Sequence, residues 1–311
     1  MKIAVLAYHN IGCRCLEVLI RKKQDVVGVF THRDDPGENI WFDSVADLAR
    51  AHGLSCHFPG NINDPHWVDL LKSLRPDLIF SFYFRQMLSR QILEIPAKGA
   101  INLHGSYLPR YRGRCPVNWV LVKGEKETGV TLHYMVERPD AGDIIAQARV
   151  GIDFEDTALT LHHKMERAAA RLLEDALPRI LAGTNPRIPQ NPSEGSYFGG
   201  RRPEDGLIDW TRTSMEIHNL VRAVTRPYPG AFTFLGGRKV FIWKARPVDV
   251  REAAPPGSIL ATEEGLLVAT GDGAIRVIEC QLEGGPELGG FDDLREAFGG
   301  ADRFDLEETV S

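Results

Sequence analysis

Over the first 150 residues, short apolar runs alternate with amphipathic stretches. That rhythm confines the chain to βαβ units around a mostly parallel, doubly wound sheet. The strand-like runs are Ile3–Ala7, Val26–Phe30, Leu78–Phe82, Gly99–Leu103 and Gly129–Met135. Between them, Cys13–Lys22, Ser44–His52 and Pro65–Leu74 carry helical periodicity, and Asp64 is expected to cap the last, with Pro65 at its first position. From Thr157 to Ala182, Leu161, Met165, Ala168, Leu172, Ala176 and Ile180 recur at i+3/i+4 spacing, which predicts a long helix with one buried face. Gly183-Thr-Asn-Pro186 and Pro189-Gln-Asn-Pro192 then mark a linker. Beyond Gly206 the pattern shifts to glycine-broken β-rich runs, Ala231–Leu235, Lys239–Trp243, Leu266–Ala269 and Ile275–Glu279, as in a small barrel or sandwich. The expected layout is an α/β domain over 1–185, a linker over 186–205, a small β-rich, barrel-like domain over 206–283 and an acidic tail over 284–311.

The turn after the first strand, Tyr8-His-Asn-Ile-Gly12, lacks the Gly-x-Gly-x-x-Gly spacing that seats a dinucleotide pyrophosphate. The fold is therefore expected to be Rossmann-like without a nicotinamide cofactor. No apolar run approaches the roughly 20 residues that span a bilayer, and Met1–Ala7 is too short to be a signal sequence. The five cysteines are odd in number and scattered, which argues against a disulfide framework and for a reducing cytoplasm. Net charge is −5, and nine Asp/Glu face two Arg between Cys280 and Ser311. A nucleic-acid grip usually shows the opposite balance, and the tail's composition favours a disordered, solubilising end.

The chemistry concentrates in Asn102-Leu-His-Gly-Ser-Tyr-Leu-Pro109 and Pro139-Asp-Ala-Gly-Asp143. An apolar run leads into the first segment, so it sits where a buried strand surfaces, which is where open α/β sheets place ligands. A carboxamide at Asn102 to hold an oxyanion, an imidazole at His104 to move a proton and a carboxylate at Asp140 to favour the charged ring describe an acyl-transfer site. The plainer alternatives are a capped turn at Asn102 and an Asx turn at Asp140. Three arginines fall within five residues at Arg110-Tyr-Arg-Gly-Arg114, either as a solvated face or as a seat for an anion. His133 alternates with apolar residues and reads as structural. His162 and His163 are adjacent on a helix and face different directions. With no Glu or Asp partner expected at ligand spacing, no metal is expected there. Gly105-Ser106 lacks a nucleophile elbow, and Cys115 precedes Pro116 in a packing segment, so direct transfer to a bound acceptor remains.

These residues resemble the folate-dependent formyltransferases, whose Asn-x-His-x-Ser-x-Leu-Pro and Asp-x-Gly patterns match Asn102, His104 and Asp140. Within that family the chain is most similar to the formyltransferase domain of bifunctional enzymes acting on UDP-4-amino-4-deoxy-L-arabinose, an activity tied to lipid A modification and polymyxin resistance. Shared stretches include Ala7-Tyr-His-Asn-Ile-Gly-Cys13, Ile79-Phe-Ser-Phe-Tyr83, Arg112-Gly-Arg-Cys-Pro-Val-Asn-Trp119 and Thr160-Leu-His-His-Lys164. The resemblance implies 10-formyltetrahydrofolate as co-substrate, no metal, and an amine of a nucleotide-linked sugar as acceptor, with oligomeric state left open. It makes Asn102, His104 and Asp140 catalytic. It places the folate near Gln86, Met87, Leu88, Arg114, Val136, Glu137, Arg138, Pro139 and Asp140. Two readings compete, a methionyl-tRNA formyltransferase and a non-catalytic folate- or nucleotide-binding module. Against tRNA, Arg33-Asp-Asp-Pro-Gly-Glu-Asn-Ile-Trp-Phe-Asp43 holds four acids and one arginine where an acceptor-stem grip would need cations.

Overall fold

The computed structural model describes residues 1–249, 254–262, 265–289, 293 and 302–305. They form two compact units. One comprises Met1–Pro116, Glu127–Ile152 and His162–Gly199, the other Val117–Lys126, Asp153–Leu161 and the chain from Gly200. In chain order the helices are α1 (His9–Arg21), α2 (Val45–Ala51), α3 (Pro65–Leu74), α4 (Arg90–Leu93), α5 (Pro116–Val122), α6 (Ala158–Ala182) and α7 (Ser214–Val224).

The first unit is built on a seven-stranded sheet. Its strands are β1 (Lys2–Ala7), β2 (Asp25–Phe30), β3 (Cys56–His57), β4 (Leu78–Phe82), β5 (Ala100–His104), β7 (Glu127–Tyr134) and β8 (Ile144–Gly151), ordered β3-β2-β1-β4-β5-β7-β8. All pairs are parallel except β5–β7 and β7–β8. β1 and β4 are apolar but for Lys2 and Ser81 because both sides are covered: every residue of β4 and all of β1 but Lys2 is buried. On one side Ala4, Leu6, Phe30 and Ile79 pack with Val68, Leu71 and Ile92. A two-stranded piece, β6 (Arg112–Gly113) with β9 (Tyr197–Phe198), lies off the main sheet.

Several details depart from the sequence reading. α1 starts at His9, four residues before the expected Cys13, with Tyr8 as an extended N-cap that makes no side-chain cap hydrogen bond. Asp64 occupies the N-cap of α3, yet its carboxylate accepts from Asn61 Nδ2 (2.8 Å) and makes no cap hydrogen bond. β3 is too short to show alternation, and the reading also missed β8. Residues 186–205 are more than a spacer. Ile188 bridges to Ile144, Tyr197–Phe198 form β9, and the stretch to Gly199 belongs to the first unit.

The second unit is a curled antiparallel sheet of six strands, β10 (Ala231–Leu235), β11 (Arg238–Val248), β12 (Ile259–Thr262), β13 (Gly265–Ala269), β14 (Ala274–Leu282) and β15 (Glu287–Gly289). Its path runs β10-β11-β14-β13-β12 with β15 on β14, an open half-barrel. α7 was not foreseen. It begins at a reciprocal capping box in which Thr213 Oγ1 accepts from the Glu216 amide and Glu216 accepts from the Thr213 amide. Of the acidic end expected to be disordered, β15 joins the sheet and Phe304 is buried, stacked on Trp210 at 5.4 Å. Residues 290–292, 294–301 and 306–311 of that end lie outside the described residues. No helix among the described residues is long and apolar enough to cross a membrane.

Candidate functional site

The site grows from the end of β5. Asn102 and His104 are two residues apart on one strand, so their side chains leave the same face. The antiparallel register of β7 sets His133 opposite Asn102. After β7 the chain doubles back through 135–143 and returns Asp140 to that face. Asp140 lies in the left-handed region at φ 50°. The turn is so tight that a Cβ on Gly142 would sit 1.9 Å from the Tyr134 carbonyl oxygen, so only glycine fits there.

The three expected residues therefore meet. Asp140 Oδ1 lies 3.5 Å from His104 Nδ1, 3.5 Å from His133 Nε2 and 3.4 Å from Asn102 Nδ2. Its Oδ2 accepts the Gly113 amide at 3.0 Å. Burial pushes the Asp140 carboxyl up. The facing His104, the neighbouring His133 and the Gly113 amide outweigh burial and hold it well below the usual carboxylate range. It is thus a standing anion beside two imidazoles.

The partners fix the ring nitrogens. His104 Nε2 faces the Tyr111 carbonyl at 2.8 Å, and a carbonyl only accepts, so that nitrogen carries hydrogen and Nδ1 is the one turned to Asp140. A ring that takes up a second proton satisfies both neighbours at once. His133 Nδ1 likewise donates to the Tyr134 carbonyl (2.8 Å), which leaves Nε2 to accept from Asn102 Nδ2 at 3.2 Å. That contact orients the Asn102 amide with its NH2 toward Asp140. The second N–H reaches only the 3.4 Å contact with the carboxylate, at the outer edge of hydrogen bonding, and is available to a better acceptor.

His133 is therefore no mere strand filler. It is 2% exposed and holds the amide of Asn102, and the signal that could have found it was its register opposite that residue. The reading of His162 and His163 also needs correction. Both Nδ1 atoms reach Glu166 Oε1, at 2.9 and 3.2 Å, and Asn10 Nδ2 donates to the same oxygen at 2.9 Å. Glu166 is the carboxylate partner at i+4 and i+3 that the sequence reading passed over. Among the described residues, no group of three or more His, Cys, Asp or Glu is arranged to hold a metal ion.

The residues expected near a folate divide into two sets. Gln86 is committed to the fold: its Oε1 accepts the Ile62 amide (2.7 Å) and its Nε2 donates to the Gly60 carbonyl (2.9 Å). Leu88 belongs to the buried core. Met87 and Val136 are 48% and 43% exposed, unusual for large apolar side chains, and Arg114, Glu137 and Arg138 are exposed as well, with Pro139 half-buried beside Asp140. Of the clustered arginines, Arg112 is buried while Arg110 and Arg114 face outward, so they do not form one cradle.

Residues 1–177 match the formyl transferase family, and residues 201–295 match the formyl transferase C-terminal domain. The chain belongs to the formyl transferase family. An N-formyltransferase from Helicobacter canadensis, in complex with folinic acid and dTDP-3-aminofucose, is similar at a TM-score of 0.69 and 24% identity, covering 88% of this chain and 98% of that one. The sugar 3N-formyltransferase WlaRD, with dTDP and 5-N-formyl-THF, gives 0.68 and 22%, covering 88% and 96%. A methionyl-tRNA formyltransferase from Clostridium thermocellum gives 0.56 and 16%, covering 80% and 94%. At these identities the likeness is one of fold.

Proposed function

We propose that this formyltransferase moves a formyl group from 10-formyltetrahydrofolate to the amine of a nucleotide-linked amino sugar, UDP-4-amino-4-deoxy-L-arabinose being the first acceptor to test. The observation that carries the reading is the convergence of Asn102, His104 and Asp140 on one strand end, with an ionised carboxylate facing an imidazole. The folate supplies the activated formyl carbon, and the positions expected near it include exposed apolar side chains at Met87 and Val136 and exposed charged ones at Arg114, Glu137 and Arg138, a mix that suits a ligand apolar at one end and charged at the other.

Asn102 donates its loosely held N–H to the formyl oxygen as negative charge develops, a contact worth about 3 kcal/mol in comparable sites. The His104–Asp140 pair takes up the proton that the amine sheds on attack, and the Tyr111 carbonyl holds the ring still as it becomes charged; the proton then returns to the folate nitrogen as its bond to the formyl carbon breaks and tetrahydrofolate leaves. His133 keeps the Asn102 amide turned the right way.

The acceptor assignment draws on two further observations. The structural likeness is greater to sugar formyltransferases than to the tRNA enzyme named above. The acids of the 33–43 loop are also engaged locally: Asp34 accepts from the Tyr8 hydroxyl (2.9 Å), Glu38 pairs with Arg85 (2.7 Å), and Asp43 pairs with Arg14. A loop whose acids are built into the fold is a poor surface for phosphate. The test is formyl transfer to a panel of UDP- and dTDP-linked amino sugars, with initiator methionyl-tRNA alongside. Transfer to a UDP-amino sugar is expected. Transfer to tRNA alone would overturn the acceptor, and transfer to nothing would favour a binding module.

A further inference from the structure

The stretch from Ile188 to Phe198 has the prolines and small polar residues of a spacer, yet its hydrogen bonds run to the back of the catalytic face. Both Nε2 hydrogens of Gln190 are used there, on the Asp140 carbonyl and the Gly142 carbonyl, each at 2.8 Å. An oxygen in that position would face two carbonyl oxygens, so the amide orientation is dictated. The other end, Oε1, is buried without a partner, a penalty that a space-filling side chain would not carry.

The same stretch holds the opposite wall of the site. Ser196 Oγ accepts the Tyr111 amide (2.8 Å), the Ser196 carbonyl accepts the Arg112 amide (3.0 Å), and the Ser196 amide donates to the Pro109 carbonyl (3.3 Å). The Phe198 carbonyl accepts the Arg114 amide at 2.9 Å, and its ring stacks on Tyr111 at 5.0 Å. Gly113 lies at φ 98°, and a Cβ there would come within 2.2 Å of the Phe198 oxygen, so the two strips are in closest possible register. Tyr111 and Gly113 are the residues whose carbonyl holds His104 and whose amide holds Asp140.

We infer that residues 188–198 form a positioning strap for the Asn102–His104–Asp140 centre, with Gln190 fixing the Asp140 turn and Ser196 fixing the Tyr111–Gly113 strip. Neither residue reaches the reacting atoms; each acts through the backbone that carries them. Asp140 sits in a left-handed turn that needs outside support, and its contacts to His104 and His133 are long, so a small displacement of the turn breaks both. The inference rests on the catalytic reading of those three residues.

The experiment compares full-length Gln190→Glu, Gln190→Leu and Ser196→Ala with the parent in steady-state formyl transfer. Hydrogen–deuterium exchange is followed over residues 111–114 and 139–143. The strap predicts that kcat falls about tenfold or more in both Gln190 variants while KM for folate and for acceptor stays within about twofold. Exchange rises in the 139–143 turn for the Gln190 variants and in the 111–114 strip for Ser196→Ala. In Gln190→Glu the activity relative to the parent recovers as pH falls toward about 5 and the introduced carboxyl regains a donor hydrogen, whereas Gln190→Leu shows no recovery. Parental kcat with parental exchange in Gln190→Leu and Ser196→Ala overturns the strap, as does a loss carried wholly by KM. Exchange is read without turnover, so raised exchange in a protein that formylates no acceptor upholds the strap and overturns only the catalytic reading.

Discussion

Two carboxylates in the first unit are assembled from the same parts and differ in slack. Asp140 faces His104, His133 and the amide of Asn102; Glu166 faces His162, His163 and the amide of Asn10. Both are held below the usual carboxylate range against the upward push of burial, Glu166 at about 2 by its bonds from His162 and Asn10. Around Glu166 every contact is a closed hydrogen bond of 2.9–3.2 Å, and the carboxylate rides on a helix with its histidines one turn away. Around Asp140 the side-chain contacts are 3.4–3.5 Å, and the carboxylate hangs on a left-handed turn. A structural clamp closes its bonds, whereas a reacting site keeps a donor and a proton position in reserve for the substrate. Composition does not distinguish the two settings; under the function proposed above, bond length and backbone support separate the reacting carboxylate from the structural one.

The largest effects are expected at Asn102 and His104. Alanine at either should lower turnover about 100- to 1,000-fold, with circular dichroism and thermal midpoint close to the parent, because the loss falls on the transition state. Asp140→Asn should cost about 100-fold, since the neutral amide no longer stabilises a ring that has taken up a proton. Parental turnover in that variant would make Asp140 a turn residue only. His133→Phe should cost about tenfold in kcat, with KM little changed, by freeing the Asn102 amide to rotate. A crystal structure of the variant with that amide in its parental orientation would contradict the explanation.

The smallest catalytic effect belongs to the other carboxylate. Glu166→Gln should turn over within about twofold of the parent and should differ in stability. A carboxylate held at about 2, against 4.5 for the free side chain, stabilises the fold above pH 4.5 and loses that contribution as pH falls toward 2. The parent should therefore lose more thermal stability between pH 6 and pH 3 than Glu166→Gln does. Equal acid sensitivity would remove Glu166 from the clamp. Asp140 follows the same sign, its contribution present above the ordinary value of 3.8 and drained below it. The activity is accordingly expected to keep its ionised carboxylate through the whole mildly acidic range.

Much of this was legible in the sequence where one periodicity dominates. β4 was located residue for residue because a fully buried strand reads as an apolar run, here interrupted only by Ser81, and α3 because Pro65 starts it. Asn102 and His104 were legible because a two-residue spacing at a strand end places both side chains on one face. His133 was not, since its role depends on the antiparallel register of β5 and β7, a pairing between residues 31 positions apart. Glu166 stands i+4 from His162 and i+3 from His163, a helical spacing that adjacency of the two histidines hides. Gln190 and Ser196 carry no local signal at all. Prolines and small polar residues mark where a chain leaves regular structure, and they do not say which carbonyls it will meet.

The most direct measurement is single-turnover formyl transfer from 10-formyltetrahydrofolate to UDP-4-amino-4-deoxy-L-arabinose, parent against Asn102→Ala, with the N-formyl product followed by mass spectrometry. The account predicts product with the parent and a rate at least about 100-fold lower in the folded variant. Equal rates in the two proteins, or a parent that formylates initiator tRNA and no sugar amine, would contradict it.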